Sequence, residues 1–381
     1  MAAAPIYLDH QASTPCDPAV VAAMAPYWSD DFANPSSRNH RPGLAAAAAV
    51  ETARRRLAGA LGVPAEAVLF TSGATEANNL AIKGLCEARM GQGRHLVTVA
   101  TEHRAVLDPC RYLERLGFAL TVLPVPASGL LDPAALGAAL RPDTVLVSVM
   151  AANNEIGVLQ PLAAIGALCQ ARGIAFHCDG AQWLGHLPLR PLDWGIDLLS
   201  FSGHKFYGPK GIGALVLAPG VEIAPQIHGG GQERGLRSGS VATPLVVGLA
   251  EALARALADA PQRQQRLLAL GERLRLGLEA LGGIAVNGAL EPRLAHNLNV
   301  SVAGVDGGRL HRALRQQLAV SGGSACSSAT GEPSHVLRAL GLSRAAAAAS
   351  VRFGLGRGTT DLQIEQTLAS MGEIVKRLRQ P

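Results

Sequence analysis

Seven short apolar runs punctuate the chain up to Pro219: AVLFTSG, HLVTVATEH, ALTVLPV, TVLVSVM, IAFHCDGAQ, DLLSFSGH and GALVLAP. Each is rich in Val, Leu, Ile or Ala and is bounded by glycine, proline or a polar cluster. They are apolar continuously rather than at alternate positions, the pattern of strands covered on both faces. Between them lie stretches of helical character such as ATEANNLAIKGLCEARM and PLAAIGALCQARG. Strand alternating with helix predicts an α/β fold on an open, mainly parallel sheet. The pattern changes near Pro261, where QRQQRLLALGERLRLGLEAL reads as a long amphipathic helix. The runs AHNLNVSVAG and LAVSGGSAC that follow read as shorter strands among further helices. This predicts a large domain over 16–259, a smaller C-terminal α+β domain over 260–381, and an N-terminal segment, 1–15, packed on the smaller one. The alanine runs Ala45–Ala49 and Ala345–Ala349 each fall in a predicted helix, where alanine has the best propensity.

Composition narrows the class. Hydrophobic residues make up 48% of the 381 and charged residues 17%, which suits a sizeable core and excludes a disordered chain. The longest uncharged stretches, such as 116–131 and 156–171, fall short of the ~20 residues that cross a bilayer, and these two contain prolines. The start, MAAAPIYLDH, lacks a basic region followed by an apolar run, so a cytoplasmic protein without membrane association is expected. Lys and Arg number 34 against 29 Asp and Glu, a net charge of +5, and the basic residues are scattered without interleaved aromatics. Direct nucleic-acid binding is therefore not expected. The six cysteines, Cys16, Cys86, Cys110, Cys169, Cys178 and Cys326, include no CxxC pair and read as neither a disulfide framework nor a zinc ribbon. Most are expected to be small buried hydrophobes.

In a doubly wound sheet, functional groups collect where strands end at their C-termini. Five such exits are polar here. TSGATEANNLAIKG turns through glycine into a helix whose first turn holds Ala74, Thr75 and Glu76. Its backbone N–H groups form either a phosphate cradle or an ordinary N-terminus capped by Ser72 or Thr75. No GxGxxG or GxxxxGK[ST] is present, so a nucleotide is not the expected phosphate ligand. TEH ends at His103, and NNEIG places Asn153 and Asn154 after a strand. HCDGAQ puts Asp179 at the end of an apolar strand, where a carboxylate is costly to bury unless it meets a cation. Its His177 and Cys178 point to opposite faces, so no metal site is predicted. LLSFSGHKFYGPKGIG carries Ser202, His204 and Lys205; a desolvated lysine is what imine chemistry requires, although loop lysines often reach solvent. A phosphate cup, a lysine and a carboxylate together are the needs of a pyridoxal phosphate (PLP) site.

On TSGATE, TEH, NNEIG, SFSGHK, YGPKGIGAL, HGGGQERGLRSGS and SGGSAC, strung in that order, the chain resembles the cysteine desulfurases of the IscS/NifS-like group, PLP enzymes of the class V aminotransferase family. The likeness runs from YLDHQASTPCDP to VRFGLGRGTT. It implies a fold type I PLP enzyme whose large domain holds a mainly parallel seven-stranded sheet, and a homodimer that removes sulfur from L-cysteine and releases L-alanine. Lys205 would carry PLP as an imine, Asp179 would pair with the ring nitrogen and Gln182 with the phenolic oxygen. His103 would stack on the ring and move protons. Ala74, Thr75, Ser202 and His204 would bind the phosphate, Asn154 would lie by ring and substrate, and Arg352 would clamp the substrate carboxylate.

The resemblance assigns the sulfur to Cys326, in SGGSACSSATGEPS, which would attack the substrate sulfur and become a persulfide. Its small polar neighbours predict an exposed loop, where a thiolate is accessible. Two departures stand out. Ser240 replaces the phosphate-binding threonine usually supplied by the neighbouring subunit, keeping the hydroxyl, and HCDGAQ carries Gly180 and Ala181 between its two ring-binding residues. Housekeeping relatives also run further at the C-terminus, into a tail that docks the iron–sulfur scaffold. The acceptor is thus expected to be either that scaffold or a thiolation protein. The alternatives are a selenocysteine lyase, another class V PLP enzyme, or a silent homologue acting as an assembly partner.

Overall fold

The computed structural model describes residues 4–322 and 333–380. Its strands are β1 (Ile6–Tyr7), β2 (Val68–Thr71), β3 (His95–Val99), β4 (Ala119–Leu123), β5 (Thr144–Ser148), β6 (Ala175–Asp179), β7 (Leu198–Ser202), β8 (Gly213–Leu217), β9 (Ile284–Val286), β10 (Asn297–Val302), β11 (Leu318–Ala319) and β12 (Ser350–Gly354). Among the described residues seven of them form one sheet in the order β2-β8-β7-β6-β5-β3-β4. Only β8 runs against its neighbours, β2 and β7; the other pairings are parallel. All seven apolar runs are thus strands of one mainly parallel sheet, as the sequence predicts.

The strands are apolar throughout because both faces are covered. Side chains alternate between faces, so Val68, Phe70, Val97, Val99 and Phe176 enter one cluster with the helices Arg41–Leu61, Leu162–Gln170 and Thr243–Ala258. Leu69, Leu96 and Ala175 enter a second cluster with Ala74–Ala88 and Arg104–Arg115. One run departs from the expected burial. Within β4 only Leu123 is buried, because β4 is an edge strand with a neighbour on one side alone.

A third cluster forms around the three-stranded antiparallel sheet β12-β10-β9 and the helices Ala260–Glu279, Gly307–Leu314 and Asp361–Arg379. Leu8, next to β1, joins it, and β1 itself pairs with β11. Of the run LAVSGGSAC, expected as a strand, the described residues pair over Leu318–Ala319 and again singly at Ser321, opposite Arg352.

The strand order reverses between β3 and β5: from β3 the chain moves outward to β4, and from β5 it moves the other way. At such a switch point the loops diverge and leave a crevice at the C-terminal strand ends. The loop after β3 brings His103 to this crevice and the loop after β5 brings Asn154.

Candidate active site

A cavity of about 450 Å³ opens at this edge, in the size range of small-molecule sites. Ala74, Thr75, His103, Asn154, Asp179, Gln182, Ser202, His204, Lys205 and Arg352 all line it. Ser240 does not; it is exposed, on the segment that follows Arg237, whose guanidinium pairs with Glu76 at 2.7 Å. Cys326 lies outside the described residues.

The β2 exit settles between the two readings of its helix. The N-cap of Ala74–Ala88 is Gly73, and no side chain caps it, so neither Ser72 nor Thr75 takes up the first-turn donors. Glu76 instead reaches back to the backbone N–H of Ser72 at 2.7 Å. Gly73 sits at φ 153°, in the region that favours glycine, with Ser202 Oγ 3.5 Å from where a Cβ would stand. The result is a helix N-terminus with bare N–H groups facing a cavity, beside the Ser202 hydroxyl: a ready anion cradle.

Asp179, 5% exposed, ends β6. The expected cation is not its partner. Its Oδ1 accepts the Ala181 N–H at 3.0 Å and its Oδ2 accepts from Asn78 Nδ2 at 2.7 Å. Gln182 donates to the Gln11 carbonyl at 3.0 Å. Lys205 Nζ donates to that same carbonyl at 2.6 Å and to that of Ala12 at 2.9 Å. The lysine is therefore held at the cavity wall by the N-terminal segment rather than extended to solvent. Behind it, His186 is bonded to the Lys205 carbonyl at 3.1 Å and stacks on His296 at 4.0 Å.

Two histidines face the cavity. The His103 Nδ1 accepts the Ala105 N–H at 3.0 Å, capping the helix Arg104–Arg115. That bond leaves the proton of the neutral ring on Nε2. Burial pulls its pKa down, Asp179 opposes the shift, and Lys205 adds to it. Burial, with help from Lys205 and Lys210, brings His204 down to about 4. Both rings are neutral at pH 7. His177, by contrast, is fully buried inside the sheet between the hydroxyls of Ser148 and Ser200.

Arg352 comes from β12 and is 2% exposed. Its Nη1 donates to the Asn154 carbonyl at 2.8 Å and its Nη2 to Asp9 Oδ1 at 2.6 Å. The chain returns from the segment holding Cys326 at Ser334, whose hydroxyl bonds to the buried Glu155, and at His335, whose Nε2 meets the Glu102 carbonyl at 2.8 Å.

The residues fit pyridoxal phosphate. Buried polar atoms without a partner gather on the cavity lining: Gln11 Nε2 and Oε1, Asn78 Oδ1 and Asn154 Oδ1. Such atoms are costly unless a polar ligand meets them. With the uncapped helix for a phosphate, a carboxylate for a ring nitrogen and an amine for a carbonyl carbon, the donor set matches the group's chemistry.

Sequence reasoning missed Asn78, Gln11, Ala12 and Asp9. Asn78 had a legible signal: it lies four residues after Ala74 and so shares its helix face. Ala12 contributes its backbone carbonyl, and Gln11 its carbonyl together with its side-chain amide; sequence does not mark the carbonyls.

Known proteins resemble the chain over nearly its whole length. The family model for class V aminotransferases matches residues 6–367. A protein named cysteine desulfurase IscS from Vibrio campbellii is 50% identical over 379 residues, covering 98% of this chain and 94% of that one. Among solved structures, a NifS-like protein superposes with a TM-score of 0.92 at 34% identity, over 98% of this chain and all of the other. Another, SspA in complex with cysteine, gives 0.81 at 39% identity, over 92% and 98%.

Proposed function

The chain belongs to the class V aminotransferase family, and from that premise we propose that it is a PLP-dependent L-cysteine desulfurase that carries the removed sulfur as a persulfide on Cys326. The observation that supports this best is the convergence of Lys205, Asp179, the uncapped helix at Ala74 and Arg352 on one cavity. When bound, pyridoxal phosphate supplies an electron sink that makes the bonds around the substrate α- and β-carbons labile.

This chain's residues supply the rest. The first-turn N–H groups at Ala74 and Thr75, with Ser202 and His204, receive the phosphate. Asp179 holds a proton at the ring nitrogen, Gln182 hydrogen-bonds the phenolic oxygen, and Lys205 is the amine that anchors the group. Arg352 clamps the substrate carboxylate and Asn154 lies beside it. His103, neutral with its proton on Nε2, moves protons over the substrate. In the net reaction the substrate C–S bond breaks, an S–S bond forms at Cys326, and the freed carbon takes a proton to become alanine. Oxidation states balance between the two products, so no external oxidant is needed.

We read the protein as a cytoplasmic homodimer in which Ser240 serves the neighbouring subunit's phosphate, with 1–15, 16–259 and 260–381 as its segment and two domains. The cluster of Leu267, Leu298, Val351 and Ile374 with Leu8 supports a small domain that packs residues 1–15, while Leu294, Val336, Leu337, Leu340 and Ala347 join the large domain's cluster. The acceptor is a protein that receives a persulfide sulfur, either an iron–sulfur scaffold or a thiolation enzyme.

The test is to quantify alanine and sulfide from purified protein given L-cysteine, PLP and a thiol reductant. Equal amounts of the two are expected. Pyruvate with sulfide would mean β-elimination and remove the role given to Cys326. Inertness toward cysteine alongside turnover of selenocysteine would favour a lyase.

A further inference from the structure

The carboxylate-binding arginine of the cavity already holds a carboxylate. Asp9 Oδ1 accepts from Arg352 Nη2 at 2.6 Å, and its other oxygen, Oδ2, accepts from Ser321 Oγ at 3.0 Å. Ser321 is in turn paired with the backbone of Arg352 in both directions, at 2.6 and 3.3 Å. Three residues from three parts of the chain thus close a ring: Asp9 to the guanidinium, Ser321 to Asp9, and Ser321 back to the main chain of Arg352. Among the described residues Asp9 is the one carboxylate paired with Arg352. It does not line the cavity, whereas Arg352 does.

A long side chain has several rotamers, and fixing it costs entropy. Arg352 is 2% exposed, so desolvation also makes an unpaired guanidinium here expensive. Its Nη1 is held by the Asn154 carbonyl at 2.8 Å, while its Nε is buried with no partner. With only the Asn154 bond the planar fork has one fixed point about which to turn. The Asp9 bond supplies a second point and so determines the plane in which the remaining N–H groups are presented.

We propose that Asp9 is the positioning residue for substrate-carboxylate recognition: it presets the Arg352 fork so that an α-amino acid carboxylate meets it without reorganisation. The proposal rests on the reading of the cavity as a cysteine desulfurase site. Asp9 acts through Arg352, on binding rather than on the bond-breaking steps. The loss should therefore fall on KM and leave kcat nearly unchanged. Asparagine is the informative replacement, because its Oδ1 still accepts from Nη2 and its Nδ2 still reaches the Ser321 hydroxyl. It removes charge and keeps the ring.

The experiment compares wild type, Asp9→Ala and Asp9→Asn as cofactor-loaded proteins. It measures kcat and KM for L-cysteine, and the dissociation constant of L-alanine from its perturbation of the visible spectrum. Wild type is assayed first for alanine and sulfide in equal amounts; if it fails there, the functional reading fails and not this inference. For Asp9→Ala, KM and the alanine dissociation constant should both rise about tenfold, kcat should stay within about twofold, and the cofactor content and spectrum should match wild type. Asp9→Asn should return both constants to within about threefold of wild type. Unchanged constants in a folded, cofactor-loaded Asp9→Ala would overturn the proposal. So would an Asp9→Asn variant as impaired as alanine, since charge and not fork geometry would then be what matters. If Asp9→Ala does not fold, the asparagine variant and Ser321→Ala, which breaks the ring at its other bond, decide: a rise in KM of Ser321→Ala with kcat kept supports the ring, and wild-type constants in it alongside an impaired asparagine variant overturn it.

Discussion

Asn78 donates from Nδ2 to Oδ2 of Asp179 at 2.7 Å, tying the second turn of the cradle helix to the end of β6. The bond joins the two ends of the proposed cofactor site, the phosphate cradle and the carboxylate for the ring nitrogen. Both partners are buried, Asn78 completely, so the carboxylate has no solvent to substitute for the amide.

Asp179→Ala should lower kcat by far more than it raises the KM for L-cysteine, because the proton its carboxylate would hold on the ring nitrogen matters while charge develops on the substrate. Asn78→Ala keeps the carboxylate but frees its orientation, and should reduce kcat about tenfold. Steady-state kinetics on cofactor-loaded variants read both. An Asp179→Ala enzyme with wild-type kcat would remove that residue from the site.

Lys205→Ala deletes the amine that the Gln11 and Ala12 carbonyls hold at the cavity wall. The visible absorbance of the purified holoenzyme should be lost. A variant with the wild-type spectrum would place the anchoring amine elsewhere.

Cys326→Ser should keep the visible spectrum and its response to L-cysteine, yet form no persulfide detectable by mass spectrometry. The other thiols are poor substitutes. Burial pushes Cys86 and Cys169 up to about 12, and Cys110 and Cys178 well above the usual thiol range. Normal sulfide release from the variant would leave the half-buried Cys16 as the nucleophile to test next.

Acid should destabilise the fold through His177. Burial lowers its pKa from 6.5 to about 3, so the folded ring stays neutral where the unfolded chain takes up a proton. Between those values the unfolded state binds more protons, and stability falls as pH falls through the window. At pH 5 the loss from this one group is about 2 kcal/mol. His177→Gln lacks the titration, so its urea unfolding free energy should drop less than that of wild type between pH 7 and pH 5. Equal drops would show that His177 does not carry the effect.

The strands and their order of function were legible because a parallel sheet covered on both faces needs unbroken apolar runs, and TSGATE, NNEIG, HCDGAQ and SFSGHK mark where those runs end. Local chemistry named Lys205 and Asp179 because each is a type that burial makes expensive without a task, whereas Arg352 was named by the family resemblance alone. What local chemistry left open, the packing decided. Whether the β2-exit helix is capped or bare depends on where Glu76 and Ser202 lie. Whether Lys205 reaches solvent depends on two carbonyls nearly two hundred positions away. Asp9 meets Arg352 only because the N-terminal segment runs between the large sheet and the β12 edge. Sequence determined which groups this protein carries and at which strand ends. Only tertiary structure decided which of them meet, since a hydrogen bond depends on ångströms in space, and separation along the chain does not record them.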